Sequence, residues 1–374
     1  MHNFQPLEIV EVKRETPEAI SIVLAIPEPL RAAFRFKPGQ HLPVRATIGG
    51  EEQRRTYSIC SGPCEPSLRI AIKRVAEGRF SNWANDTLKA GSILEVMPPA
   101  GRFVLPQSEG NARHVVAFAA GAGITPIIAM IKHALAQEPA TSFTLVYGNR
   151  APESILFAEE LEDLKDRYLG RFTLLNVLSR NEESGAPLLQ GRITSETVKA
   201  LAATLFRPDE VAHVFLCGPG SMIKEARDAL LELGLPRGKI HHEFFAPAGG
   251  AYRAKQASPG EKTPSPRPSP QGEREAASGG AHGAEVVAIL DGIRHRFTVP
   301  PGGHVVDAAL AAGIRVPYSC KGGMCCTCRA KLVEGQVEMT LNYSLEPWEM
   351  ERGFILTCQA VPKSERLVVD YDQM

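Results

Sequence analysis

Four cysteines fall within nine positions of "YSCKGGMCCTC", residues 318–328, and Cys358 stands thirty positions beyond the last of them. Cys320, Cys325 and Cys328 are separated by four and then two residues. With Cys358 as the fourth thiolate, this is a spacing that holds a binuclear 2Fe-2S cluster. The loop must also bring backbone N–H groups close to sulfur, and Gly322 and Gly323 leave room for that. Structural zinc sites usually use paired C-x2-C or Cys/His knuckles, and one such Cys pair is present here. Zinc, a disulfide and plain core cysteines remain the alternatives. Cys326 gives the wrong spacing on both sides if it replaces Cys325. It reads as a small apolar side chain beside the cluster, with tuning through a weak S–H contact as the second reading.

A second group of residues could bind nucleotides. "GAGITP", Gly121 to Pro126, follows an apolar run and opens a helical stretch. A glycine turn at a helix N-terminus offers N–H groups and the positive dipole end to a pyrophosphate. That places Gly121, Gly123, Thr125 and Pro126 at a candidate binding turn. "YGNR" and "LCGP" end two further strand-like runs, and carboxyl ends of parallel strands form the ligand crevice of such sheets. Gly218 and Pro219 belong to the second of these ends. Arg150 and Arg180 also follow strand ends. They could neutralise an adenosine 2′-phosphate and favour NADPH over NADH, or be solvated surface arginines. "RRTYSIC" offers Arg55, Tyr57 and Ser58 together: a cation, a ring able to stack and a hydroxyl donor. A core tyrosine is the plainer reading of that strand.

These residues need elements to carry them. Short β-like runs punctuated by turns, such as "AISIVLAI", "HLPVRATI" and "LRIAIKRV", predict a small antiparallel barrel over residues 1–105. Residues 106–248 alternate buried-strand runs with helical stretches, the pattern of a doubly wound parallel sheet. Residues 249–284, crowded with Gly, Pro, Ser and charge, predict a flexible linker. Residues 285–374 open on two strand runs around Asp291-Gly292, a hairpin signal. Forty-two basic residues balance forty-two acidic ones, which gives no reason to expect nucleic-acid or anionic-membrane binding. The apolar run from Val115 to Ile131 approaches membrane-spanning length, but two glycines and a Thr-Pro interrupt it. No secretory signal opens the sequence. Clustered rather than dispersed cysteines argue for metal in a reducing compartment, so a cytoplasmic protein is expected.

Taken together, the motifs resemble the ferredoxin–NADP reductase superfamily fused to a plant-type ferredoxin domain. "RTYS" resembles its R-x-Y-S flavin motif, and "GRFSN" the segment holding the FAD pyrophosphate. "GAGITP" and "CGP" resemble its nicotinamide-nucleotide motifs, and "HEFF" its terminal E-x-F strand. The stretches "SCKGGMCCTCRAKLVEGQVEM" and "GFILTCQAVPKSERLVVDYD" are similar to the reductase subunits of phenylacetyl-CoA epoxidase systems. The resemblance implies an antiparallel FAD barrel, an α/β NAD(P) domain and a β-grasp ferredoxin domain. It implies an oxidoreductase that uses FAD, a 2Fe-2S cluster and NAD(P)H, and passes electrons to a separate di-iron oxygenase. By the same resemblance Tyr57 packs on the isoalloxazine and Ser58 lies near its N5. Arg55, Phe80, Ser81 and Asn82 hold the FAD phosphates, Cys217 borders the nicotinamide and Glu243 sits at the flavin edge. The family's paired glycine before the F-S segment is Glu77-Gly78 here, and the linker is longer. Two other functions remain open: a reductase for another aromatic oxygenase or a hybrid-cluster protein, and a zinc-stabilised binding module without catalysis.

Overall fold

The computed structural model describes residues 4–108, 110–180, 187–245 and 283–373. The chain divides into two compact units, one within residues 4–248 and one within residues 249–374. The expected linker lies outside the described residues except at its last two positions, where Ala284 already opens a strand.

The first unit begins with β1 (Gln5–Thr16), β2 (Ala19–Leu24), β3 (His41–Ile48), β4 (Glu51–Ser58), β5 (Leu68–Lys73) and β6 (Ile93–Val96), with helix α1 (Arg79–Thr87) between the last two. The strands pair antiparallel in the order β4-β3-β6-β1-β2-β5. Ile59, just past β4, bridges Ile70 of β5 and closes the sheet on itself. Alternate residues point inward, so Leu7, Ile9, Ile20, Ile22, Leu42, Val44 and Ile70 share one core. β1 escapes an apolar-run criterion because exposed Glu8, Glu11, Lys13 and Arg14 punctuate its buried positions.

The same unit continues as β7 (Arg113–Ala120), α2 (Ile124–Gln137), β8 (Thr141–Asn149), α3 (Ala158–Arg167), β9 (Phe172–Leu178), α4 (Ser195–Leu205), β10 (Val211–Gly218), α5 (Gly220–Glu232) and β11 (Ile240–Phe244). All strand pairs are parallel, in the order β11-β10-β7-β8-β9. Residues of α2 and α3 pack with Val115, Ala117 and Phe143, while those of α4 and α5 pack with Val116, Phe118 and Val146. Helices therefore cover both faces, and strand order reverses between β7 and β10, the position where such sheets bind ligands. The apolar run from Val115 to Ile131 is split between β7 and α2. Among the described residues no helix is long and apolar enough to cross a membrane.

The second unit contains β12 (Ala284–Leu290), β13 (Ile293–Val299), α6 (Val305–Ala311), β14 (Arg329–Glu334), β15 (Val337–Met339), α7 (Pro347–Glu351), β16 (Phe354–Leu356), β17 (Ala360–Pro362) and β18 (Arg366–Asp370). Asp291 and Gly292 turn the β12–β13 hairpin with φ of 51° and 75°, as a type I′ turn requires. β18 runs parallel to β12, and the sheet order is β13-β12-β18-β14-β16. Val305, Val306 and Ala309 of α6 pack onto Val286, Ala288, Ala330 and Val369. A mixed sheet clasping one helix is the β-grasp arrangement. β15 and β17 form a separate ribbon.

Candidate redox-cofactor sites

Three residues expected at a flavin edge come together from three strands. Ser58 ends β4, is buried, and its hydroxyl donates to Glu243 Oε2 across 3.4 Å. Glu243, on β11, is the strand partner of Cys217 on β10. Cys217 is fully buried, and burial, reinforced by the Glu243 charge, pushes its thiol well above the usual range. A fourth residue joins them without having been read from the sequence. His41, the β3 partner of Ser58, places Nδ1 3.7 Å from Glu243 Oε1. Its Nε2 is buried and has no hydrogen-bond partner among the described residues. The strand "HLPVRATI" was legible, but a histidine opening a strand carries no sign of what will face it.

The neighbouring flavin segment is built differently from its motif. Phe80 is fully buried, with its ring 5.7 Å from that of Tyr57. Ser81 Oγ accepts from the Val75 N–H and donates to the Gly78 carbonyl, and Asn82 Nδ2 donates to the Val75 carbonyl. These side chains shape the segment. α1 starts with no side-chain cap at Gly78, which leaves first-turn N–H groups of the kind that can take an anion. Glu77 sits just before it at φ 59°, a left-handed conformation where glycine would be at ease. Arg55 donates to the Arg54 carbonyl and to Gln53 Oε1.

The "GAGITP" turn lies at the switch point of the parallel sheet. Gly123 packs so closely on β10 that an added Cβ would meet the Cys217 carbonyl oxygen at 2.1 Å. Thr125 and Pro126 are buried, and Thr125 Oγ1 donates to the Ala122 carbonyl. α2 then opens without a side-chain cap, again leaving N–H groups for a pyrophosphate. Gly218 ends β10, and Pro219 precedes α5. Arg150 and Arg180 are exposed on neighbouring strand ends, joined by an Arg180 N–H to Arg150 carbonyl bond of 2.8 Å. Lys73 was not singled out by its sequence. Its Nζ would lie 4.0 Å from a Cβ on Gly121, and burial, followed by Arg150, lowers its ammonium against the pull of Glu18.

In the second unit the cysteines form two pairs. Cys320 lies beside Cys325 and Cys328 beside Cys358, the two members of each pair influencing each other's ionisation. Cys325, then backbone N–H groups of Gly322, Met324 and Cys325, lower Cys320 against burial, while Cys320 and burial raise Cys325. Cys328, with Gln359 and the Gly323 backbone, lowers Cys358 as well. Thiolate is the ligating form, and N–H groups aimed at sulfur are what an anionic cluster needs. Four thiols, with the Gly322 N–H donating to Cys320 Sγ and Gln359 Nε2 to Cys358 Sγ, are a donor set suited to a 2Fe-2S cluster. Gly323 takes φ 74°, and Ser344 Oγ and the Tyr343 N–H both donate to its carbonyl. Cys326 has φ 53° and packs against the core of this unit.

Several supporting residues were not read from sequence. Gln359 Nε2 donates to the Lys321 carbonyl at 2.8 Å and to Cys358 Sγ at 3.5 Å. Tyr371 donates to Thr357 Oγ1, which donates to the Cys328 carbonyl at 2.8 Å. Arg329 pairs with the fully buried Glu349 at 3.1 Å and lies over the Phe354 ring. Apart from the Gln359–Cys358 contact, these join residues too far apart in sequence for a local pattern to mark.

Comparison with known proteins adds three domain assignments. Residues 6–105 match the oxidoreductase FAD-binding domain, residues 118–228 the oxidoreductase NAD-binding domain, and residues 288–363 the 2Fe-2S iron–sulfur cluster binding domain. The chain is 40% identical to a subunit of the 1,2-phenylacetyl-CoA epoxidase of Escherichia coli K12, covering 100% of this chain and 99% of the relative. It is 36% identical to the ferredoxin reductase component of 3-ketosteroid-9-alpha-monooxygenase of Rhodococcus rhodochrous, covering 98% and 96%. Among solved structures, phthalate dioxygenase reductase shares its fold at a TM-score of 0.57 and 24% identity, covering 98% of each chain.

Proposed function

Because the chain belongs to the family of oxygenase reductase components, NAD(P)H oxidoreductases with FAD and a 2Fe-2S cluster, we propose that it is the reductase of a phenylacetyl-CoA epoxidase system and delivers electrons to a separate di-iron oxygenase. The full-length similarity to the epoxidase subunit carries the choice of acceptor. FAD, when bound, would supply the conversion between a two-electron hydride donor and a one-electron acceptor such as the cluster. The remaining work belongs to the chain. The uncapped start of α1 and Arg55 bind the FAD pyrophosphate, and Tyr57 packs against the ring system. Ser58, hydrogen-bonded to Glu243, holds a proton at the flavin edge. Cys217, kept neutral by burial, gives the nicotinamide a polarizable wall. Cys320, Cys325, Cys328 and Cys358 would hold the cluster.

Arg150 and Arg180 favour NADPH by pairing with its 2′-phosphate. Arg150→Ala is expected to raise the half-saturating NADPH concentration about tenfold and leave NADH nearly unchanged. Equal effects on both nucleotides would remove this role. Eight free cysteines fit a reducing compartment, so we place the protein in the cytoplasm.

The decisive experiment supplies the purified, cofactor-loaded protein with NADPH and the oxygenase component of a phenylacetyl-CoA epoxidase. Substrate-dependent epoxide formation is expected. The similarity to a 3-ketosteroid monooxygenase reductase supports a second reading, another oxygenase as acceptor. Epoxidation that fails while such an oxygenase turns over would move the function there.

A further inference from the structure

A buried cluster of charges joins the flavin barrel to the nucleotide-binding half of the first unit. Lys132 of α2 is only 8% exposed at its side chain, yet it meets Glu160 of α3 at 2.5 Å and Glu65, in the loop after β4, at 3.0 Å. Its Nζ also donates to the carbonyl of Cys60 at 3.2 Å. Arg69 of β5 reaches the same Glu160 from the barrel side, with bonds of 2.8 and 2.6 Å to its two oxygens. The guanidinium lies 5.2 Å from the centroid of the Phe157 ring. Burial alone would raise the Glu160 carboxyl, but Lys132 and Arg69 outweigh it and hold it below the usual range. Two charges from each half thus meet in one seam around the buried Lys132, with Glu65 and Glu160 half-buried.

The position of this seam matters more than its strength. Cys60 lies two residues beyond Ser58, and Lys132 lies on the helix that opens at the "GAGITP" turn. The seam therefore ties the strand end carrying the flavin-edge residues to the helix carrying the nucleotide turn. Apolar contacts also cross here, with Cys60, Phe103 and Leu105 in one cluster with Ile127, Met130 and Ile131. Such contacts are non-directional and permit sliding. Charge-assisted hydrogen bonds have fixed geometry and do not. Buried ion pairs contribute little net stability because desolvation offsets their attraction, so a role in setting geometry accounts for their retention better than a role in stability.

We propose that Arg69, Glu160, Lys132 and Glu65 form an ion-pair clamp that sets the nucleotide half against the flavin barrel, with Lys132 a positioning residue for hydride transfer. The proposal rests on the reductase reading above. It is tested by anaerobic stopped-flow reduction of the flavin in the full, cofactor-loaded chain, comparing Lys132→Met and Glu160→Gln with the unmodified protein. The limiting rate per bound flavin is expected to fall about tenfold to a hundredfold, as for a displacement of roughly 1 Å. The half-saturating nucleotide concentration and the cluster spectrum are expected to stay within about twofold, because neither site loses a direct contact. A limiting rate within about twofold of the unmodified value, even with a lowered melting temperature, would overturn the clamp and leave only a structural role. If these variants lose flavin, Arg69→Lys and Glu160→Asp are judged by the same rate criterion, since they keep the charges and alter only the geometry. Failure of the unmodified protein to be reduced by either nucleotide would instead overturn the reductase reading itself.

Discussion

The cysteine loop and the flavin–nucleotide crevice place their reactive groups in opposite ways. Three of the four candidate iron ligands lie within nine residues of one loop. The crevice gathers His41, Ser58, Cys217 and Glu243 from four strands, and its Ser58–Glu243 bond spans 185 residues of sequence. A cluster cradle depends on donor count and spacing, so a short loop with a few glycines can nearly complete it. The crevice depends on how one sheet seats against another, so no short segment contains it. The loss of one donor should therefore empty the first site, whereas the loss of one side chain should only slow the second.

The largest expected effect tests the local half of this contrast. Cys325→Ser should eliminate the 2Fe-2S absorbance and its reduced-state paramagnetic resonance signal, whereas Cys326→Ser should keep both. Equal loss in the two variants would undo the ligand assignment drawn from the cysteine spacing. A graded response is expected in the crevice. Ser58→Ala should slow flavin reduction about a hundredfold and Glu243→Gln about tenfold, measured by stopped flow with nucleotide affinity checked by titration. All-or-none loss of flavin in both variants would erase the distinction between the two regions.

The smallest effect concerns acid stability in the first unit. His213 Nδ1 and His241 Nε2 lie 3.1 Å apart, and Phe215 stacks on His241. Burial, followed by His213 and His242, pushes His241 down to about 4. An unfolded histidine titrates near 6.5, so protonation favours the unfolded chain between those values. The stability owed to neutral His241 is complete above about pH 6.5 and falls as pH drops towards about 4, by about 3 kcal/mol. Denaturant unfolding of His241→Gln should show a flatter pH dependence across this window. An unchanged slope would mean that His241 stays protonated in the folded protein or is not buried in solution.

Much of the fold was legible in short stretches of sequence. "HLPVRATI" coincides with β3, "VVDAALAAG" contains α6, and Asp291-Gly292 makes the hairpin turn. These depend on alternation, helix periodicity and left-handed turn residues, all local backbone properties. β1 was less legible because its outward charges break the apolar pattern. The "GRFSN" segment was located, but its Phe80 and Ser81 side chains turned inward, leaving the uncapped helix start to face an anion. His41 and Lys73 went unnoticed because their significance lies in Glu243 and in the glycine turn, which are remote in the chain.

Thiol spacing, glycine turns at helix starts and strand periodicity were already decided along the chain, because neighbouring residues share backbone geometry whatever surrounds them. Which charges are buried was decided only in three dimensions. Arg69, Lys132 and Glu160 look like ordinary surface charges on amphipathic elements, and the overall balance of forty-two against forty-two says nothing about them. They become a largely buried, mutually neutralising seam only when groups 72 and 91 residues apart are pressed together. The reason is dielectric: a charge meets its partner strongly only where packing has removed the water between them.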